Sequence, residues 1–189
     1  MLDVVTATDV VAPDGQLASA LPLLRDTLAR IADEARHTMV VTDAVGRVLW
    51  WDGRRVPTAN ARHRWTTAAC PVHEPDAGAV IGAVDVAAPA LHPTTPALVT
   101  AAARLAEGLL AAQQAVRDEL LLARHLPLLD RLSGPVALLS LSGRVLVAQP
   151  SGWLPDRVVV PRDRRIGFAP GGRATLSPIA GGWLLREAC

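Results

Sequence analysis

Apolar and polar residues recur along this chain with periods that change from segment to segment. Leu21, Leu24, Leu28 and Ile31 fall three and four apart, on one face of a helix expected over about residues 20–36. Ser19 stands where an N-cap belongs, and Pro22 falls in the first turn, where proline is tolerated. Apolar runs at 38–43 and 47–51 flank a short turn and predict a hairpin. Residues 52–63 are polar, carry Pro57 and read as loop. Strands are expected again at 64–72 and 79–87, joined by a turn from His73 to Gly78 with Pro, Asp and Gly in place. On the first of these strands Trp65, Thr67 and Ala69 oppose Thr66, Ala68 and Cys70. On the second, Val80, Val84 and Val86 oppose Ile81, Ala83 and Asp85.

Thr95 and Pro96 then open a helix as N-cap and first helical residue. The helix is expected to reach about residue 125, a rod on the order of 45 Å, and to break near Pro127. Along it Leu98, Ala102, Leu105, Leu109, Ala112 and Val116 are spaced 4, 3, 4, 3, 4, a heptad seam narrowed by alanine. This seam either meets a second copy of the chain or packs on the chain's own sheet. A mixed arrangement has the first half inward and the later half, with Leu120, Leu121 and Leu122, against a partner. A hairpin at 136–148 and a Pro- and Gly-rich tail with apolar runs at 158–160 and 183–185 complete the pattern.

One phrase is written twice. Residues 39–49 and 136–146 each run an apolar strand into a turn and then Gly-Arg-Val-Leu. The element order is helix, hairpin, hairpin, long helix, hairpin, β-rich tail. It predicts an α+β fold with antiparallel sheets flanked by helices. Three regions are expected: 1–36, an N-terminal segment and helix; 37–126, a module that includes the long helix; and 127–189, a small β-rich module.

Composition narrows this picture. The chain has 189 residues and a net charge of +1, so no strong field favours nucleic acid or acidic lipid. All 19 basic residues are Arg, Tyr is absent, and Phe168 and Asn60 are single occurrences. That bias follows GC-rich codons, so the abundance of Arg alone is no phosphate-binding device. Cys70 and Cys189 make no disulfide framework, which fits a reducing cytoplasm. No secretory leader opens the chain, and residues 96–116 are interrupted by Arg104 and Glu107, so no membrane span is expected.

The segment Val40-Val41-Thr42-Asp43-Ala44-Val45-Gly46-Arg47-Val48-Leu49-Trp50 resembles the opening hairpin of a GAF sensor domain. Residues 63–72 and 76–86 resemble its closing hairpin. The likeness is to GAF regions of actinobacterial transcriptional regulators, related to the sensor regions of acetoin-type activators. It implies a truncated GAF-like sheet, a long connecting helix and a small β-rich, PAS-like module. The central segment that walls the ligand pocket in that family is replaced here by residues 52–63. The family's Trp-Ser-Glu, Gly-Thr-Asn and Glu-His-Phe elements are absent, and no helix-turn-helix follows before Cys189. The resemblance therefore implies the sensory half of a regulator with a reduced pocket, and no direct nucleic-acid binding.

Candidate chemistry is sparse. His63, Cys70 and His73 form the one metal-like grouping, with His37, Asp76 or another distant residue needed as a further ligand; two loop histidines and a small buried thiol are the preferred explanation. No metal or cofactor is expected. Cys70 as a nucleophile would use His73 as base, but no oxyanion turn accompanies it. Asp43, Asp52 and Asp76 sit at turns, where Asp bonds its own backbone. Asp85 lies inside an apolar strand, either at an edge facing solvent or as a polar group in a pocket. Trp51, Trp65, Val84 and Asp85 are the candidate lining of a residual pocket. Trp50 and Trp51 must face opposite sides of their strand. Arg162, Arg164 and Arg165 read as a solvated turn, and Gly171-Gly172 as no phosphate loop.

The expected function is signal sensing, by ligand- or partner-dependent rearrangement of a helical dimer, without enzymatic activity. Its partners would be a second copy or a related regulator, and a small-molecule ligand. The alternative is an interaction module that senses nothing and pairs with a full-length regulator. A thiol enzyme using Cys70 is the third reading.

Overall fold

The computed structural model describes residues 16–26, 28, 37–53, 65–168 and 172–187. The fold is α+β, with two antiparallel sheets and one long helix. The chain divides into two compact units, Met1–Ala112 and Gln113–Cys189. The long helix, Thr95–Leu129, contributes residues to both, so the division falls inside the helix. The sequence-based boundary at 126/127 places all of this helix but its last three residues in the first module.

In the first unit the strands are β1 (Thr38–Asp43), β2 (Val48–Asp52), β3 (Thr66–His73) and β4 (Val80–Ala88). They form a sheet in the order β2-β1-β4-β3. Asp43 sets the first turn: its Oδ1 accepts hydrogen bonds from the backbone N–H of Val45 (3.0 Å) and Arg47 (2.8 Å). Gly46 takes φ +84°, a conformation that glycine adopts without strain.

A 3-10 turn, Gln16–Ser19, leads into helical backbone at 21–26 and 28. Leu17, Leu21, Leu24 and Leu28 are buried with Met39, Val41, Val84 and Val86. The expected apolar helix face is therefore real at these positions, while Ile31 and residues 29–36 lie outside the described residues. The expected loop at 52–63 is described only at Asp52 and Gly53.

The first half of the long helix adds Val99, Ala102, Ala103, Ala106 and Leu110 to the same core. Each large side chain removed from water contributes on the order of 1.5–3 kcal/mol. Both helical elements thus pack on the face of the sheet that carries Val41 and Val84.

In the second unit the strands are β5 (Val136–Ser140), β6 (Val145–Gln149), β7 (Arg165–Phe168), β8 (Gly172–Ile179) and β9 (Gly182–Glu187). Their order is β6-β5-β9-β8-β7. Leu121 and Leu129 of the helix pack with Val136 and Leu138 on one face. Ala137, Leu139, Leu176 and Leu185 point to the other and are closed over by Val158, with Trp153 and Leu154. The run at 158–160 is thus a cover and not a strand; it is tied in by the Val158 N–H bond to Gly143 O, 2.8 Å.

The helix does not break near Pro127 but runs through it to Leu129. Proline forfeits one backbone hydrogen bond there, and burial of Leu129 at 0% exposure offsets the loss.

Candidate functional site

Strand register assigns the first sheet two unlike faces, because directly paired residues share a face. Trp50, Val41, Val84 and Cys70 form one row across the four strands. Val41 and Val84 are fully buried in that row, and Trp50 and Cys70 pack against the same core. The adjacent row, Trp51, Val40, Asp85 and Ala69, lies on the opposite face.

Asp85 is the unusual member. Strand β4 lies between β1 and β3, so Asp85 occupies an interior strand and is 9% exposed. Of the two alternatives open for Asp85, the edge or solvent-facing position is thereby removed. Among the described residues its Oδ1 has no hydrogen-bond partner. Burial pushes its carboxyl above the ordinary value, against the opposing pull of a hydrogen bond from the Val86 backbone.

The four residues expected to line one pocket are separated by the same alternation. Val84 faces the helices and Asp85 the other side, as consecutive strand residues must. Trp51 shares the face of Asp85, with Val40 between them. Trp65 precedes β3 and is half-buried. Register thus sets Val84 apart and leaves Trp51 and Asp85 in one row with Val40, bordered by Thr38 and Thr42, which are 4% and 8% exposed.

A second polar arrangement lies where the β3–β4 turn meets the long helix. Glu107 Oε1 accepts from the His73 backbone N–H (2.9 Å) and pairs with His73 Nδ1 (2.7 Å). Its Oε2 accepts from Arg104 at 2.6 Å. Burial alone would raise the Glu107 carboxyl; the bonds from His73 and Arg104 outweigh it and hold the group below its ordinary value. These residues border an open cleft of about 520 Å³ that also includes Glu74, Gly78 and Gly108. Both oxygens of Glu107 are engaged, so its visible role is to fasten the β3–β4 turn to the helix.

Sequence reasoning paired His73 with Cys70 and missed Glu107. Cys70 packs toward the core, whereas a bulge at Val72/His73 redirects the chain before His73. His63 lies outside the described residues. Among the described residues, no group of three or more His, Cys, Asp or Glu side chains is placed to hold a metal ion. No described helix is long and apolar enough to cross a membrane.

The heptad seam is divided. Leu98, Ala102 and Leu109 pack with the first core, whereas Leu105 and Val116 are 42% and 56% exposed and Ala112 is exposed. The most deeply buried stripe is Val99, Ala103, Ala106 and Leu110, with Ala102 of the seam buried beside it. Beyond it Leu121 is buried in the second unit's own core, and Leu120 remains 65% exposed.

No family model matches the chain, and no curated protein matches it. Among solved structures it is similar to a chain in the crystal structure of the E. coli DhaR(N)–DhaL complex. The identity is 14% and the TM-score 0.39, over 100% of this chain and 95% of that one. A likeness at that level fixes neither fold nor function.

Proposed function

We propose that this chain is a non-enzymatic cytoplasmic regulatory protein whose first unit is a GAF-like sensor. The ligand face is the Trp51–Val40–Asp85 row. The observation that carries this reading is Asp85: a carboxylate 9% exposed on an interior strand, with Oδ1 unpartnered among the described residues. Leaving a buried acceptor unsatisfied costs about 1–3 kcal/mol, and more for a charged group. A ligand that donates a hydrogen bond, such as a small amine or a hydroxylated molecule, recovers that cost on binding.

The response follows from the helix shared by both units. Val99 to Leu110 belong to the first core, and Leu121 and Leu129 to the second. A ligand that favours one packing of the helix in the first core biases the packing available to its continuation. In this reading the exposed Leu105, Val116 and Leu120 are covered in a homodimer. The same exposure favours a second reading, in which the chain is an interaction module for a related regulator and binds no small molecule.

Thermal unfolding with a panel of small amines and polyols tests the first reading. At least one compound should raise the unfolding temperature of the wild type by several degrees, as about 2.7 kcal/mol of linkage at 100-fold saturation requires. The shift should vanish in Asp85→Leu. Stabilisation that survives Asp85→Leu would remove Asp85 from the site, and no stabilisation at all would leave the interaction reading. Sedimentation decides the dimer: a monomer at micromolar concentration excludes it.

A further inference from the structure

The second sheet is only partly covered on its helix-bearing face. Leu121 and Leu129 sit with Val136 and Leu138, and Leu184 and Ile179 pack at their margin. The same face continues across β9, β8 and β7 with a different composition. Val136 pairs with Arg186, Arg186 with Thr175, and Thr175 with Arg165, so all four share this face. Arg173 lies two residues before Thr175 and therefore on the same side, opposite Gly167. Arg165, Arg173, Thr175 and Arg186 are all exposed.

Three arginines from three strands thus border one threonine. Diagonal neighbours in such a sheet are about 7–8 Å apart, and Arg165 and Arg186 are separated by two strand spacings of about 4.8 Å. Among the described residues no hydrogen bond or ion pair engages the three guanidinium groups; the nearest acid in sequence, Asp163, accepts from the Arg165 backbone N–H at 3.4 Å. The acidic side chains nearby turn elsewhere: Glu187 pairs with Ala174 on the other face, and Asp130 accepts from Gln149 at the far end of the row, 3.4 Å. Gly167 adds no side chain, and a Cβ there would meet nothing within 4 Å. Arginine is abundant throughout this chain, so number alone means little. Placement is the observation: three like charges gathered on one face of the sheet, with no ion pair to them among the described residues.

We propose that this face of β7, β8 and β9 docks an acidic segment of a partner protein, whose carboxylates pair with Arg165, Arg173 and Arg186. Guanidinium groups favour bidentate pairing with carboxylates. Acidic side chains one helical turn apart lie about 5–6 Å from each other, within reach of neighbouring arginines. A nucleic-acid strand fits less well. Trp183 lies on the opposite face with Leu139 and Leu185, so no Trp on this side can stack a base. The chain as a whole carries 19 basic against 18 acidic residues, too even a balance for long-range capture of a polyanion. This inference stands apart from the ligand reading of Asp85, because every residue it uses lies in the second unit.

The test uses the full chain and a fluorescent hexaglutamate peptide at low salt, followed by anisotropy. The wild type should bind, and added salt should weaken the complex. An exposed ion pair is worth about 0.2–1 kcal/mol, or roughly 1.4- to 5-fold in affinity. The single variant Arg173→Gln should lose a few-fold, and the triple variant Arg165→Gln/Arg173→Gln/Arg186→Gln about tenfold or more. Without peptide, the unfolding temperature of the triple variant should stay level or rise, because repulsion is relieved. The proposal is overturned if the wild type fails to bind the peptide, or if the triple variant binds as well as the wild type. A lower unfolding temperature in the triple variant also overturns it, since the arginines would then serve the fold. Equal or tighter wild-type binding of a short DNA duplex of matched charge overturns the choice of a protein partner.

Discussion

The two units run the same strand plan and differ in what they place on the face away from the helix. The first sheet has the order β2-β1-β4-β3, and the second repeats it as β6-β5-β9-β8 before adding β7. Register carries the likeness to single residues. The first hairpin slips between Val41 and Thr42, and the second between Leu138 and Leu139. Asp43 pairs with Gly82 in one sheet and Ser140 with Gly182 in the other. A Cβ on either glycine would collide with a backbone carbonyl, Thr42 O or Leu139 O, and with a leucine, Leu17 or Leu121. On this alignment Asp85, paired with Val40, holds the position of Leu185, paired with Ala137. The row Trp51–Val40–Asp85–Ala69 in the first unit is Ala148–Ala137–Leu185–Leu176 in the second. The second unit therefore fills this face with a closed apolar core, and the first keeps a carboxylate there.

The sharpest way to break the likeness is at the turn glycines. Gly46 and Gly143 both have φ +84°. A Cβ on Gly46 meets nothing within 4 Å, whereas one on Gly143 would lie 2.0 Å from Val158 O. Gly46→Ala should cost only the left-handed conformation, about 1–2 kcal/mol. Gly143→Ala adds displacement of the covering segment and should cost about 3 kcal/mol or more. Denaturant unfolding of the two variants checks this. Equal losses would mean that the Val158 segment yields freely and does not lock the second hairpin.

The arginines that follow come next. Arg47 is exposed at its turn. Arg144, its counterpart, bonds through Nη2 to Asp118, a helix residue 8% exposed. Asp118 is the buried member of the pair, whereas the Arg144 side chain is 41% exposed, so water screens part of the loss. Arg144→Ala should cost about 1–2 kcal/mol, with part of that loss recovered in Arg144→Ala/Asp118→Ala. Arg47→Ala should stay within about 0.5 kcal/mol. A double-mutant cycle that shows no coupling between Arg144 and Asp118 would refute the difference.

Local chemistry was legible in the sequence wherever a few adjacent residues decide the outcome. The Gly-Arg-Val-Leu turns, Asp43 as their hydrogen-bond acceptor, and the opposed faces of Trp50 and Trp51 all follow from neighbours in the chain. What depends on distant pairing was not. Asp85 could be located only once β4 proved to be interior, a fact set by pairing with both β1 and β3. Glu107 and His73 are 34 residues apart, and nothing between them announces the bond. The long helix is apolar on most sides, so a seam of Leu98 to Val116 and a stripe of Val99 to Leu110 compete on nearly equal terms. Both are spaced 4, 3, 4 and lie one residue apart, so periodicity could not choose between them; burial in the core did.

Asp85 sharpens the comparison with a gain instead of a loss. Asp85→Leu copies the second unit at this position and removes an unsatisfied buried acceptor, and Asp85→Asn removes only the charge. Either should raise the stability of the unliganded protein at neutral pH, by about 1 kcal/mol. The pH dependence has a definite sign. The folded carboxyl titrates above its ordinary value of 3.8, so the unfolded chain ionises first. The contribution of Asp85 is fully present below pH 3.8 and is lost as pH rises through the folded value. The advantage of Asp85→Asn should therefore grow across that interval and then level off. An Asp85→Asn variant less stable than the wild type at neutral pH would show that the carboxylate is compensated after all.

Glu107 supplies the opposite sign in the same unit, at the smallest amplitude. Its carboxyl is held below the ordinary value of 4.5, because the bonds from His73 and Arg104 outweigh burial. Stability from this group is therefore present above pH 4.5 and is lost as pH falls through the folded value. Arg104 and His73 are 72% and 38% exposed at their side chains, so water screens both partners. Glu107→Gln should then cost about 1 kcal/mol at neutral pH and almost nothing in acid. Unfolding curves of the wild type and Glu107→Gln should converge as pH falls, whereas those of the wild type and Asp85→Asn should diverge as pH rises from acid. Parallel curves for Glu107→Gln across the acid range would mean that the carboxylate is not what ties the β3–β4 turn to the helix, and that the His73 backbone contact is held by packing alone.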